Sequence, residues 1–257
     1  MRAPRRYAPR VSTSDQVTVV TGGTRGIGAA IARRLAGESH SLVLGYAHDD
    51  DAAQLLRAEL DATTRVALVR SDVTTDEGVE ALFAAATRLG TVTGLVNNAG
   101  ATMHVAPLAQ TPTEVVRAVV DLNLTAAILC ARRAVLAFEA GGVPGTIVNI
   151  SSGAATLGSP GEYVHYAAAK AGVDALTLGL AKETAGRGTR VVGVAPGTIE
   201  TRIHADAGDP GRPARVAGRV PLGRTGVPED IAPAVAWLFS AEASYMTGTT
   251  LRITGGL

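Results

Sequence analysis

The densest concentration of usable chemistry is "YVHYAAAK", residues 163–170, two tyrosines followed by a lysine. Of the 24 basic residues only Lys170 and Lys182 are lysines. On a helix, Tyr166 and Lys170 are four apart and share a face within side-chain reach. Tyr163 lies two turns from the lysine, roughly 10 Å along the axis, and is expected to pack near a pocket mouth. With five tyrosines and two lysines, a Tyr-x-x-x-Lys pair arises by chance only about 0.04 times in such a chain. A free phenol titrates at about 10, and a neighbouring ammonium favours the phenolate and lowers that value. Tyr166 is therefore expected to be a general acid or base tuned by Lys170. Lysine, a compact point charge, suits this better than the forked guanidinium used elsewhere in the chain.

A donor to polarise a carbonyl should come from a nearby strand end, and "GTIVNISSG" supplies Ser151 and Ser152 there. His165 adjoins Tyr166, so a serine–histidine hydrolase is the rival chemistry. Helix neighbours point about 100° apart and no strained elbow surrounds either serine, which argues against it. No His/Cys/Asp cluster has metal-ligand spacing. Asparagine is scarce, with only Asn97, Asn98, Asn123 and Asn149 in the chain. Asn123 falls inside a helical stretch, where its amide competes with the backbone, so a need for that amide is expected. Asn149, at a strand end, serves either the site or as a brace.

These residues must be held by larger elements. Short β-branched runs at 16–20, 41–46, 65–70, 93–97, 145–150, 190–195 and 249–254 alternate with amphipathic stretches, among them 113–139, 163–185 and 228–240. Strands apolar on both faces, each followed by a helix, predict a parallel sheet covered on both sides, with ligands outside the strand carboxyl ends. After the first strand, "TGGTRGIG" places Gly22, Gly26 and Gly28 where a turn meets a helix N-terminus, a site for pyrophosphate. By itself this motif is weak; its position strengthens it.

The chain has 257 residues, 46% apolar content and net charge +1. It fits one domain over 15–257 behind a disordered basic tail at 1–14, an Arg-rich transit-type leader being the other reading of that tail. Scattered charge gives no case for nucleic acid or an anionic membrane. The best apolar stretch is broken by Arg132 and Arg133, so no membrane span is expected. The lone Cys130 fits core packing and a reducing cytoplasm.

Taken together, "TGGTRGIG", "NNAG", Asn123, "ISS", "YAAAK", "APGTIET" and "MTGTTLRITGG" resemble the short-chain dehydrogenase/reductase family, with 3-oxoacyl carrier reductases and glucose dehydrogenases as the nearest members. The match runs from about Gln16 to Leu257. The resemblance implies a single-domain, doubly wound, seven-stranded Rossmann-type α/β fold, a nicotinamide cofactor, and a homotetramer. It implies a tetrad of Asn123, Ser152, Tyr166 and Lys170, Ser151 being the alternative serine. Gly153 and Tyr163 should join Ser152 and Tyr166 against the substrate. Gly22, Thr24, Arg25, Gly26, Ile27 and Gly28 should form the phosphate turn, with Tyr46 and His48 by the ribose and Asp72 and Val73 at the adenine. Asn97, Asn98, Ala99 and Gly100 should flank the adenosine, while Pro196, Gly197, Ile199 and Thr201 cradle the carboxamide. Tyr166 and Lys170 also touch the cofactor.

An acid to hold a ribose diol is missing at Tyr46 or Ala47, and Arg25 is placed for a 2′-phosphate, so NADP(H) is expected over NAD(H). Asp49 to Asp51 read as a solvated helix start. The segment at about 202–225 is expected to be a mobile substrate lid. There Arg212, Arg215 and Arg219 either greet an anion or form a solvated face. The expected function is a ketoreductase of 3-oxoacyl or polyketide type. A sugar or small-alcohol dehydrogenase is the alternative, and a dinucleotide-binding regulatory module without catalysis is the alternative of another class.

Overall fold

The structure, a computed structural model, describes residues 15–257; the tail expected over 1–14 lies outside the described residues. The β-branched runs form β1 (Gln16–Val20), β2 (Ser41–Tyr46), β3 (Val66–Arg70), β4 (Thr91–Asn97), β5 (Thr146–Ile150), β6 (Arg190–Pro196) and β7 (Thr250–Ile253). They pair in parallel as one sheet in the order β3-β2-β1-β4-β5-β6-β7. This is the seven-stranded Rossmann-type sheet that the sequence implies. The helices are α1 (Gly26–Ala36), α2 (Asp50–Leu60), α3 (Asp76–Leu89), α4 (Thr113–Val120), α5 (Ala126–Ala140), α6 (Ala154–Leu157), α7 (Val164–Thr184), α8 (Ile203–Asp206), α9 (Arg212–Ala217) and α10 (Pro228–Phe239).

Successive strand residues point to opposite faces, and each face meets its own helices. Val148 and Val192 pack with Ile31 and Leu35 of α1 and Ile231 and Val235 of α10. Their strand neighbours Ile147 and Val191 pack on the other face with Leu82 and Phe83 of α3 and Cys130 and Ala134 of α5. Cys130 is a packing residue, and burial pushes its thiol up to about 12. No described helix is long and apolar enough to cross a membrane. The strand order turns back between β1 and β4, and the crevice this opens at the strand carboxyl ends holds the site.

The helical stretch expected over 113–139 is not continuous. Residues Asp121–Thr125 form a π-helical turn between α4 and α5. The Asn123 amide donates to the Val119 carbonyl, four residues back, at 2.9 Å and to the Ala101 carbonyl at 2.8 Å. A side chain that takes a carbonyl from the helical ladder widens the turn locally.

Asn149 proves to be a brace. Its Oδ1 accepts from Asn97 Nδ2 at 2.9 Å and its Nδ2 donates to Thr177 Oγ1 at 2.9 Å, while Asn97 Nδ2 also donates to the Ala127 carbonyl at 3.0 Å. This buried ladder locks β4, β5, α5 and α7 in register. At the opposite end of the sheet, Arg190 donates to the carbonyls of Leu238 at 2.6 Å and Ala243 at 3.2 Å and to Thr146 Oγ1 at 3.1 Å. One guanidinium thus satisfies carbonyls at the end of α10 and just beyond it, where negative dipole ends gather.

Arg190→Met keeps the bulk but leaves those acceptors unpaired. It is expected to cost about 1–3 kcal/mol, read as a lower midpoint in urea unfolding.

Candidate active site

The glycine turn opens on Thr21, whose hydroxyl accepts from the backbone N–H groups of Asn98 and Ala99 at 3.0 Å each. The Asn98 amide donates back to the carbonyls of Thr21 and Gly22 at 3.0 and 2.9 Å. Asn98 therefore fixes the turn, and its side chain is turned to the protein. Asn97, expected beside the adenosine, is instead buried in the core ladder, because its carboxyl-end position on β4 faces α5. Gly22 has a left-handed backbone, φ 59°, and a Cβ at Gly28 would meet the Gly22 carbonyl oxygen at 2.1 Å. Only glycine permits helix and turn to approach so closely. Thr24, Arg25, Gly26 and Ile27 line the same wall of a cavity of about 920 Å³.

The ribose end is more charged than the sequence suggests. Asp49 takes a left-handed backbone at φ 73° and caps α2 through Oδ1, which accepts from Ala52 N at 3.1 Å. Its Oδ2 accepts from Arg25 at 3.3 Å and lies 3.6 Å from Nη1 of Arg202, at the start of the segment expected to form a lid. So Asp49 does cap the helix as expected, and it also holds two guanidiniums at the cavity edge. Tyr46 donates to Asp50 at 2.8 Å, which raises its pKa. His48, Asp72 and Val73 line the cavity. Asp72 Oδ1 accepts from the N–H and hydroxyl of Thr74 at 2.9 and 2.7 Å, bonds that lower its pKa.

At the other end, Tyr166 and Lys170 stand one turn apart on α7, both buried. The Lys170 ammonium lies 5.7 Å from the Tyr166 ring centroid and donates to the Ile150 carbonyl at 2.9 Å. Ser152 lines the cavity beside Tyr166 and acts on the phenol in the direction that lowers its pKa, while its hydroxyl accepts from Ala154 N at 3.1 Å. Ser151 instead donates to the Lys170 carbonyl at 3.3 Å and is buried. The structure thus puts Ser152, rather than Ser151, beside the phenol. His165 hydrogen-bonds to neither serine through its ring nitrogens.

The expected acidification of the phenol is corrected here. Burial pushes Tyr166 up to about 12, against the lowering effects of Ser152 and the Arg212 charge. Burial likewise pulls the Lys170 ammonium down to about 8. Both groups are removed from water, and the penalty for charging a desolvated group is the largest cause of each shift.

Gly100, expected on the adenosine side, sits between two members of the tetrad. A Cβ there would come 2.6 Å from Asn123 Oδ1 and 3.3 Å from Lys170 Nζ. Asn123 Oδ1 is buried and has no hydrogen-bond partner among the described residues. The unpartnered Asn123 acceptor and the Lys170 ammonium thus both lie against Gly100, and any side chain at that position would crowd them. Pro196, Gly197, Ile199, Thr201 and Gly153 line the cavity beside this group. Gly153 N donates to the Pro196 carbonyl at 2.8 Å, and Gly197 passes Thr254 too closely for a side chain.

Tyr163 is buried, its ring edge-on to Tyr166 at 5.5 Å and 90°. Sequence reasoning missed what lies above it. Arg212 is neither solvated nor free for an anion, since its side chain is 11% exposed and pairs with Glu162 at 2.8 Å. Arg215, three residues on, is 60% exposed and pairs with Asp209. In sequence, nothing but helical phase separates them.

A glycine-cradled crevice at a parallel-sheet switch point, with a phenol and an ammonium at its far end, defines a dinucleotide-dependent oxidoreductase of alcohols and carbonyls. A family model described as "Enoyl-(Acyl carrier protein) reductase" matches residues 22–257. The chain is 42% identical over 249 residues to a 3-oxoacyl-[acyl-carrier-protein] reductase of Vibrio cholerae, covering 96% of this chain and 99% of that protein. It is also 42% identical over 245 residues to 3beta-hydroxysteroid dehydrogenase 1 of Eggerthella lenta, covering 94% and 93%. A solved short-chain type dehydrogenase/reductase from Mycobacterium marinum superposes with TM-score 0.88 at 31% identity, covering 95% of each chain. The chain belongs to the short-chain dehydrogenase/reductase family, whose members use a nicotinamide cofactor.

Gly100→Ala is expected to lower turnover ~100-fold by closing the gap between Asn123 and Lys170. Calorimetric affinity for ADP should stay within about threefold, since the adenosine end is untouched. A large loss of ADP affinity would return Gly100 to the adenosine side.

Proposed function

We propose that the protein is an NADP(H)-dependent ketoreductase in which Tyr166 passes the proton. The observation that carries this is the convergence of Ser152, Tyr166 and Lys170 on one end of the cavity, with the orphaned Asn123 oxygen close to the ammonium beside Gly100. A nicotinamide cofactor, which the glycine turn and Pro196 to Thr201 would hold, would supply or accept the hydride. Ser152 holds the substrate oxygen by a hydrogen bond. Tyr166 donates its hydroxyl proton to that oxygen as a ketone becomes an alcohol, and takes it back in oxidation. Lys170 favours the phenolate that results and reaches the ribose hydroxyls. Asn123 Oδ1 orders a water through which the proton is replaced.

NADP(H) is supported by Arg25 and Arg202 converging on Asp49 at the ribose end, where a 2′-phosphate would find two guanidiniums. A 3-oxoacyl or polyketide substrate is supported by the identity to the Vibrio reductase. A small-alcohol dehydrogenase is the second reading, favoured by an apolar wall of Met103, Leu157, Tyr163, Ile203 and Val216. Exposed Ile128 and Leu136 on α5 and Leu178 on α7 support a homotetramer built through these helices, for which light scattering should give the mass of four chains. A single buried thiol fits the cytoplasm.

Incubated with NADPH and a panel of 3-oxoacyl thioesters and cyclic ketones, the protein should consume cofactor absorbance on at least one, and faster than with NADH. Tyr166→Phe should abolish turnover, by a factor of ~1,000 or more, with NADPH affinity kept. Binding without turnover on any substrate would favour the non-catalytic module.

The pH profile follows from the two buried groups. A phenol raised to about 12 is protonated at neutral pH, so it can donate in reduction. Lys170, lowered to about 8, loses its charge above that pH, and the phenol then becomes a poorer acid. Reduction should hold up to about pH 8 and decline beyond it; kcat/KM measured across pH would show a still-rising limb above 8 if this is wrong.

A further inference from the structure

We propose that Arg212 is a positioning residue that fastens the substrate lid onto the Tyr163–Tyr166 pair and so fixes the proton donor against the substrate oxygen. This rests on Tyr166 being that donor. The guanidinium contacts two segments outside its own helix at once. Its carbon lies 5.2 Å above the centroid of the Tyr163 ring. Nη2 donates to Glu162 Oε2 at 2.8 Å, Nε approaches both Glu162 oxygens at 3.3 and 3.4 Å, and Nη1 donates to Thr198 Oγ1 at 3.3 Å. Glu162 and Tyr163 precede α7, Thr198 follows β6, and Arg212 opens α9 in the lid. A planar fork can stack on a ring and bridge a carboxylate together, which an ammonium cannot.

The chain of contact continues inward. Tyr163 meets Tyr166 edge-on at 5.5 Å, and both pack with Val119, Ala154 and Ala167 in one apolar cluster. Lid position is therefore coupled to the ring that carries the proton. Ser152 from the end of β5 and Arg212 from the lid both act on the Tyr166 phenol, Tyr163 meets its ring edge-on and the Lys170 ammonium lies 5.7 Å from the ring centroid; His165 interacts with Thr102 and His104 instead. Arg212 is the cation that the lid adds to this set. Its field lowers the phenol pKa, opposing burial. Removing it should raise that pKa, and alcohol oxidation, which needs the phenolate, should shift to higher pH.

The test compares Arg212→Gln, Arg212→Lys and Glu162→Gln with Arg215→Gln, which alters the exposed pair to Asp209 on the same helix. On the best ketone of the panel, Arg212→Gln is expected to raise KM and cut kcat, together ~100-fold in kcat/KM, and to move the oxidation profile to higher pH. Glu162→Gln should raise KM without moving the profile upward, because the cation remains. Arg212→Lys should recover the profile but not KM. NADPH affinity should stay within about twofold in all four, by fluorescence titration. If Arg212→Gln fails to fold, the Arg212→Lys and Glu162→Gln variants still read KM and profile separately. The proposal is overturned if Arg212→Gln matches Arg215→Gln in KM, kcat and profile, or loses only thermal stability. If Tyr166→Phe itself retains turnover, the reading of the donor fails instead.

Discussion

An ammonium taken out of water needs an acceptor, and Lys170 has the carbonyl of Ile150 at the last residue of β5. With the Asn149–Thr177 bond and the Ser151 hydroxyl on the Lys170 carbonyl, that contact holds α7 against the end of β5. Once α7 is so placed, Tyr166 falls beside Ser152, and Ser151 is left to bond the helix backbone. The cost of burying the charge shows in the depressed value of Lys170. A hydrophobic residue would pack there more favourably, so the lysine marks function over stability.

The fold was almost wholly legible because it rests on alternation that local residue types reveal. Ile147 and Val148, adjacent and both β-branched, face opposite layers, and an apolar run of that kind reads directly as a strand covered on both sides. The residues proposed for the tetrad drew notice for a different reason: scarcity made Lys170 and Asn123 conspicuous in a chain rich in arginine and poor in asparagine. What scarcity did not convey was the balance of burial against charge. The spacing of Tyr166 and Lys170 implied an acidified phenol, but spacing carries no measure of desolvation, and desolvation dominates.

What the sequence left unread shares one physical origin. Gly100, Asn98 and Arg212 make long-range contacts that no local pattern encodes. Gly100 matters for what approaches it from the π-helical turn and α7, and Arg212 for the ring and carboxylate brought under it by a separate loop. Three arginines in a Gly- and Pro-rich segment look alike until helical phase and the opposing surface are known. Asn97 and Asn98, adjacent in sequence, diverge because successive strand residues point to opposite sides: one bonds the core ladder, the other the glycine turn.

The ladder of Asn97, Asn149 and Thr177 has a consequence for how such a site can diversify. Amide pairs of this kind accept neither slippage nor replacement of one member alone, because the survivor would be stranded in a dry interior. Strand spacing at the crevice floor is thereby held constant, whatever happens above it. Residues above the crevice share no hydrogen bond with this ladder and can be exchanged without disturbing the floor.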